Sequence, residues 1–215
     1  MTIIAIDGTA ASGKGTLARA LARHLDFAYL DTGALYRAVG LQLLRSGGNV
    51  ENEQDALKAA GQLAHLDLTD PELKSESTGG LASKVATIPA VRAALLDFQH
   101  DFARNPPGGK AGAILDGRDI GTVVCPDADV KLFITASVET RAKRRFLEQY
   151  GPTGSEAEYQ AILDELIQRD RRDTERALSP LKPAENAHLL DTTNSDIEAV
   201  FEQALRLVSD KMANI

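Results

Sequence analysis

The sequence predicts an α/β fold, a five-stranded parallel sheet flanked by helices. Three observations carry this expectation. Five short apolar runs, "TIIAID", "FAYLD", "GAILD", "VKLFITA" and "AHLLD", are continuous rather than alternating, as in strands buried on both faces of a parallel sheet. Helical patterns separate the runs, and strand–helix alternation marks a doubly wound sheet. Four runs end in aspartate, at Asp7, Asp31, Asp116 and Asp191. Ligands of open parallel sheets bind beyond the carboxyl ends of the strands, although an aspartate there also serves as a helix N-cap or turn residue.

Taken in order, the first run leads through "GTAASGKGT" into a helix expected over Gly15 to His24. The second precedes a helix over Leu35 to Ser46, a turn-rich "SGGNVENEQ" and a helix over Asp55 to His65. The stretch "TDPELKSESTGG" is polar, short of apolar residues, and reads as loose. A helix over Val91 to Arg104 and a Pro/Gly loop, "NPPGGKAG", lead to the third strand. The fourth strand feeds a helix over Val138 to Tyr150, then "YGPTGSEAE" as a candidate flap, then a helix over Glu156 to Arg176. The fifth strand and a helix over Asp196 to Met212 close the chain.

Composition narrows the class. A chain of 215 residues suits one domain with a single core. The net charge of −7 argues against bulk attraction to nucleic acid or an acidic membrane. Cys125 is the only cysteine, so no internal disulfide forms; it reads as a small buried hydrophobe in a reducing compartment. The start "MTIIAID" lacks the pattern of a signal peptide. No apolar run approaches the ~20 residues of a membrane span. His24, His65, His100 and His188 show no metal-ligand spacing. A cytoplasmic monomer is expected.

The stretch from Gly8 to Thr16 carries the strongest signal. After a strand and before a helix, a glycine-rich turn surrounds phosphate oxygens with backbone N–H groups. Gly8, Thr9, Ala10, Ala11, Ser12 and Gly13 form the turn, and Lys14 reaches the β- and γ-phosphates as a point charge. Gly15 stands where the usual pattern has a hydroxyl, and Thr16 follows one place late. "GKGT" is the form this loop takes in nucleoside monophosphate kinases.

Phosphoryl transfer also needs an acceptor held in line, and three clusters offer one. "LDTGALYR" supplies Thr32, Tyr36 and Arg37. "DGRDIGTVV" supplies Asp116, Arg118 and Asp119 at the sheet's carboxyl edge. "QRDRRDTER" places Arg169, Arg172, Asp173 and Arg176 at i, i+3, i+4 and i+7, one helical face. Such a run is commonly a solvated ion-paired surface, but three arginines on one face also suit phosphate. "RAKRR", Arg141 to Arg145, is similar and less discriminating. No N-K-x-D guanine-reading motif occurs, which counts against a GTP switch.

Together, "DGxxxSGKGT", "LDTGALYR", "LASKVATIPAVR", "DGRDIGTVVCPDADVKLFITAS" and "RDRRDTERALSPLKPA" resemble the bacterial cytidylate (CMP) kinases, from Ile3 to about Thr193. The resemblance implies a P-loop nucleoside monophosphate kinase fold. Its core would be 1–66, 84–145 and 160–215, with a reduced CMP-side insertion near 67–83 and a short mobile lid near 146–159. It implies ATP-dependent phosphorylation of CMP and dCMP, with Mg²⁺ carried by the nucleotide and no dedicated protein ligand. It assigns Thr32, Arg92 and Asp119 to cytosine, with Arg176 nearby. Ser83, Arg169 and Asp173 fall to the ribose and its flanking phosphate, and Arg37 and Arg118 to the CMP phosphate. Tyr36 and Asp116 join the substrate side, and Arg144 and Arg145 fall to ATP in the closing flap. Lys14, Arg118, Arg169 and Arg172 would stabilise the migrating phosphoryl group. Thr9, Ala10 and Ala11 replace the Pro, Ser and Gly common in that family, so a left-handed backbone at Ala11 is a point of departure. The stretch before "LASKV" is shorter than in relatives that carry small strands over the CMP site.

Overall fold

The computed structural model describes residues 1–62, 68 and 70–213. All five expected strands form: β1 (Thr2–Gly8), β2 (Ala28–Asp31), β3 (Gly112–Gly117), β4 (Val130–Thr135) and β5 (His188–Asp191). They make one parallel sheet in the order β2-β3-β1-β4-β5. The register aligns the carboxyl ends, with Asp31 beside Asp116 and Asp7 beside Gly117. The loops leaving β1, β2 and β3 therefore emerge side by side, at the edge where open parallel sheets bind ligands.

Among the described residues eight α-helices clothe the sheet: α1 (Lys14–Leu25), α2 (Thr32–Arg45), α3 (Glu53–Ala60), α4 (Glu76–Val85), α5 (Pro89–Arg104), α6 (Val138–Tyr150), α7 (Glu156–Glu175) and α8 (Ile197–Met212). On one face, Leu35, Val39 and Leu43 of α2 and Leu95 of α5 pack with Leu115 of β3. On the other, Leu17 and Leu21 of α1 and Val200, Ala204 and Val208 of α8 pack with Ile4, Ile6 and Leu132. Burying both faces explains why β1, β3 and β4 read as continuous apolar runs; β5, at the sheet edge, departs from that expectation and leaves Leu189 63% exposed. Cys125 is buried in the first of these cores, as expected, and burial raises its thiol to about 11.

Two stretches differ from the expectation. Helix α2 begins three residues early, because Asp31 Oδ1 caps it by accepting Ala34 N at 3.0 Å. The polar stretch read as loose is a short 3₁₀ turn, Pro71–Lys74, followed by helix α4. Ser75 caps α4 through Thr78 N, and Leu81 approaches α2 so closely that a Cβ on Gly40 would sit 2.9 Å from Leu81 Cβ. Low helix propensity in "ESTGG" hid α4; close packing on α2 secures it. The expected end of the third helix at His65 lies outside the described residues, as do 67 and 69 of the expected insertion. The stretch 146–159 is the end of α6, a tight turn over Gly151–Thr153 and the start of α7, with Phe146 against Tyr150 and Tyr159.

Candidate active site

The donor loop follows from its backbone. Gly8 ends β1 so near β4 that a Cβ would collide with the Ile134 carbonyl. Gly13 precedes α1 with φ 86°, a conformation glycine adopts without cost. Ala11 holds φ 57° although it carries a Cβ, at about 1–2 kcal/mol of strain. A loop that turns N–H groups toward an anion turns carbonyls away, and those need donors. Thr9 O accepts from Ser12 Oγ at 3.0 Å and Lys14 Nζ at 3.5 Å. Ala10 O accepts from Arg141 Nη1 at 3.1 Å, and Ser12 O from Thr192 Oγ1 at 3.2 Å. Thr192 is itself held by Arg144, whose Nη1 donates to Thr192 Oγ1 at 2.9 Å.

A cavity of about 530 Å³ lies outside this loop, lined by Gly13 to Thr16, Arg144 and Arg145. A second cavity, of about 200 Å³, lies on its other side. Ala11 and Lys14 border both. Burial, and then the Arg118 charge, push the Lys14 ammonium down to about 7, while Asp116 and Asp31 pull it back up.

The second cavity collects most of the residues the sequence singled out. Thr32, Tyr36, Arg37, Ser83, Arg92, Asp116, Arg118, Asp119, Arg169, Asp173 and Arg176 all line it. They come from α2, α4, α5, the β3 exit and the α7 end. Arg37 Nη2 pairs with Asp31 Oδ2 at 2.6 Å, and Arg118 Nε with Asp173 Oδ2 at 2.9 Å. Arg92 pairs with Asp119, both buried, and its guanidinium lies over the Tyr36 ring. Ser83 Oγ donates to Asp173 Oδ1 at 3.3 Å, and Thr32 Oγ1 to Asp116 O at 2.7 Å. Among the described residues, Arg169 Nε and Arg176 Nη2 are buried without a hydrogen-bond partner. Burial and the neighbouring Arg118 charge lower Arg169 to about 10, and burial followed by the Asp31 charge raises Asp116 to about 6.

Arg172 departs from the expectation: it is exposed and lines neither cavity. At 100° per residue it sits 60° to one side of Arg169, whereas Asp173 sits 40° to the other, toward the cavity. Four further residues support the site without having been read as parts of it. Asp7, 3% exposed, accepts Ile120 N at 2.7 Å and Gly121 N at 2.8 Å, so it anchors the π-helical turn Ile120–Val124 that follows Arg118 and Asp119. Burial raises its carboxyl to about 7 against those two donors. Arg141, Asp170 and Thr192 brace the donor loop or its bracing residue. The available signal was the core residue Ala142 beside Arg141, which puts Arg141 near a buried helix face.

A parallel sheet, a phosphate-type loop with its lysine and an arginine-rich cavity facing it define a phosphate-loop kinase. The fold is shared with shikimate kinase from Bacteroides thetaiotaomicron, at TM-score 0.52 and 14% identity over 97% of this chain and 98% of that one. The chain belongs to the cytidylate kinase family, whose model matches residues 4–210. It is 56% identical over 210 residues to the cytidylate kinase of Paramagnetospirillum magneticum, covering 98% of this chain and 99% of that relative. To the cytidylate kinase of Methylocella silvestris it is 53% identical over 206 residues, covering 96% and 93%.

Proposed function

We propose that the protein transfers the γ-phosphoryl group of ATP directly to CMP and dCMP, forming CDP and dCDP. One observation carries the reading: among the described residues, the acceptor cavity holds six cationic side chains against four carboxylates, and two of its guanidinium groups have buried N–H donors without partners. A nucleotide phosphate, a dianion at neutral pH, supplies the missing charge and acceptors.

The loop Gly8 to Thr16 holds the ATP phosphates, with Arg144 and Arg145 beside them. Arg37 and Arg118, each oriented by an aspartate, hold the CMP phosphate. Lys14, at the border of both cavities, follows the migrating phosphoryl group with Arg118 and Arg169. Thr32, Arg92 and Asp119 face cytosine, and Ser83 and Asp173 face the ribose. No covalent intermediate is required, because the CMP phosphate oxygen is already a nucleophile and the protein positions and neutralises charge. Mg²⁺ favours oxygen ligands and commonly takes one or two carboxylates beside substrate phosphates. From the sequence, the ion is left to the nucleotide alone; beyond that, the buried Asp116 carboxylate, 3.2 Å from where a Cβ on Gly15 would stand, would offer the ion one oxygen beside the loop. When bound, the ion neutralises charge on the β- and γ-phosphates. The stretch 146–159 closes as a lid, α4 and the 3₁₀ turn stand in for a larger CMP-side insertion, and the protein works as a cytoplasmic monomer.

A coupled assay with ATP against CMP, dCMP, UMP and AMP tests the proposal. CMP and dCMP should turn over far faster than the rest. Equal rates on CMP and UMP, or none on CMP, would refute it.

A further inference from the structure

The donor loop is braced by two arginines of one helix, and one of them reaches further. Arg141, 3% exposed on α6, donates through Nε to Ala136 O at 2.9 Å and through Nη1 to Ala10 O at 3.1 Å. Its Nη1 and Nη2 also meet Asp170 Oδ1 and Oδ2 at 3.3 and 2.5 Å. Ala10 immediately precedes Ala11, the residue held in the left-handed region. Asp170 lies on α7, one residue from Arg169 and three from Asp173, both of which line the acceptor cavity. A single guanidinium thus ties the donor loop, the exit of β4 and the helix that carries acceptor-side residues.

The geometry is that of an oriented brace. A carboxylate that takes two N–H groups of a guanidinium fixes its plane as well as its position. With the plane fixed, the third edge presents a donor to Ala10 O and holds one side of the strained peptide. An anion in the loop depends on several N–H groups pointing at one spot, and a strained alanine resists that arrangement unless its neighbours enforce it.

We infer that Arg141, oriented by Asp170, is a positioning residue for phosphoryl transfer: it keeps the donor loop in its working shape and in register with α7. The inference rests on the kinase reading above. A merely structural pair would stabilise the fold and leave the kinetics of a folded enzyme alone.

Two variants of the full chain separate these roles. Arg141→Lys keeps the charge, but one ammonium cannot span Ala136 O, Ala10 O and both Asp170 oxygens. Asp170→Asn keeps the size and turns an amide N–H₂ toward the guanidinium's own donors. Steady-state kinetics, run beside the wild type, should show kcat lowered by about 10- to 100-fold, as expected for small misplacement of reacting groups. KM for ATP should rise about fivefold or more while KM for CMP stays within about twofold, a split that assigns the loss to the donor side. The shift in melting midpoint produced by saturating ATP should shrink in both variants, and the shift produced by CMP should persist.

Variants that melt earlier yet keep wild-type kcat and both KM values would show a structural pair and overturn the inference. So would equal rises in both KM values, which report general distortion. Should Arg141→Lys fail to fold, Asp170→Asn, altered on the more exposed partner, decides the matter alone. A wild type that does not phosphorylate CMP from ATP would sink the kinase reading and this inference with it, an outcome visible before any variant is measured.

Discussion

The donor loop and the acceptor cavity meet at Lys14 and solve the same problem in opposite ways. The donor loop is nine consecutive residues proposed to bind through their backbone, and its carbonyls are pinned by Ser12 from within and by Arg141 and Thr192 from outside. The acceptor cavity is gathered from five parts of the chain, and its binding groups are side chains. There Arg37, Arg92 and Arg118 are each matched to an aspartate. The difference has an energetic consequence. Lys14 makes no direct ion pair among the described residues, so its removal strands no contacting carboxylate, although Asp116 and Asp31 lose a nearby charge. Loss of an acceptor-side charge strands its partner, and a stranded buried charge costs about 3–5 kcal/mol.

The largest effect should therefore fall on Asp119. Asp119→Ala leaves the buried Arg92 without its carboxylate, so stability should drop by about 3–5 kcal/mol, read as a fall of roughly 6 to 20 °C in melting midpoint. Kinetics then sharpen its role. An ionised carboxylate only accepts hydrogen bonds, and cytosine offers an amino group where uracil offers a carbonyl. If Asp119 reads the base, the CMP-over-UMP preference in kcat/KM collapses from above ~100-fold, because each ~1.4 kcal/mol is tenfold. If Asp119 only braces Arg92, both activities fall in the same proportion.

Lys14→Ala should behave in the opposite way. Turnover should fall at least ~100-fold, because a preorganised charge on the transferring group is worth ~3 kcal/mol, with no comparable loss of melting midpoint. A loss below threefold would show that Lys14 does not act on the phosphates.

Arg37→Ala and Arg118→Ala come next, at about 10- to 100-fold in kcat/KM, the worth of a charged hydrogen bond. CMP and dCMP should suffer alike, since both present the same phosphate. A variant that lost only one of them would be reading the sugar instead.

A smaller effect belongs to the proton. Burial and Arg118 hold Lys14 near 7 in the free protein. ATP phosphates favour its charged form, so its pKa rises in the complex. Between the two values the free amine is neutral and the bound one charged, so ATP binding near pH 8 takes up nearly one proton. Affinity should weaken as pH rises through 7 and beyond. Calorimetry in buffers of different ionisation enthalpy measures the uptake, and Lys14→Ala should abolish it.

The smallest effect tests the donor loop's strain. Ala11→Gly relieves about 1–2 kcal/mol of left-handed strain and returns about 0.5–1 kcal/mol as glycine entropy. The net gain of about 0 to 1.5 kcal/mol should raise the melting midpoint by up to about 6 °C. A lower midpoint would mean that Ala11 is not strained.

The shape of the donor loop was almost wholly legible in the sequence, because it is set by consecutive residues between a strand and a helix. Its braces were not. Arg141 looked like one more charge in "RAKRR", and only the packing of α6 against α7 gave it Ala10 O and Asp170 as partners. On the acceptor side the residues were legible as a set, but Arg172 was grouped with them by spacing that the helix rotation does not support. Helix α4 was missed because its glycines argue against a helix locally, while its packing on α2 depends on a residue distant in sequence, Gly40, which admits Leu81.

What the chain determined by itself is what depends on near neighbours: five apolar strands, the capped helices between them, the phosphate loop and its lysine. The pairing of charges was decided only in three dimensions. Arg92 meets Asp119 across 27 residues, Arg118 meets Asp173 across 55, and Arg141 meets Ala10 across 131. Those meetings follow from the strand order, which sets β3 and β4 on either side of β1 and brings distant loops to one edge. Linear spacing carries no record of that order, because the energy that selects it is the burial of two apolar faces shared among all the elements at once.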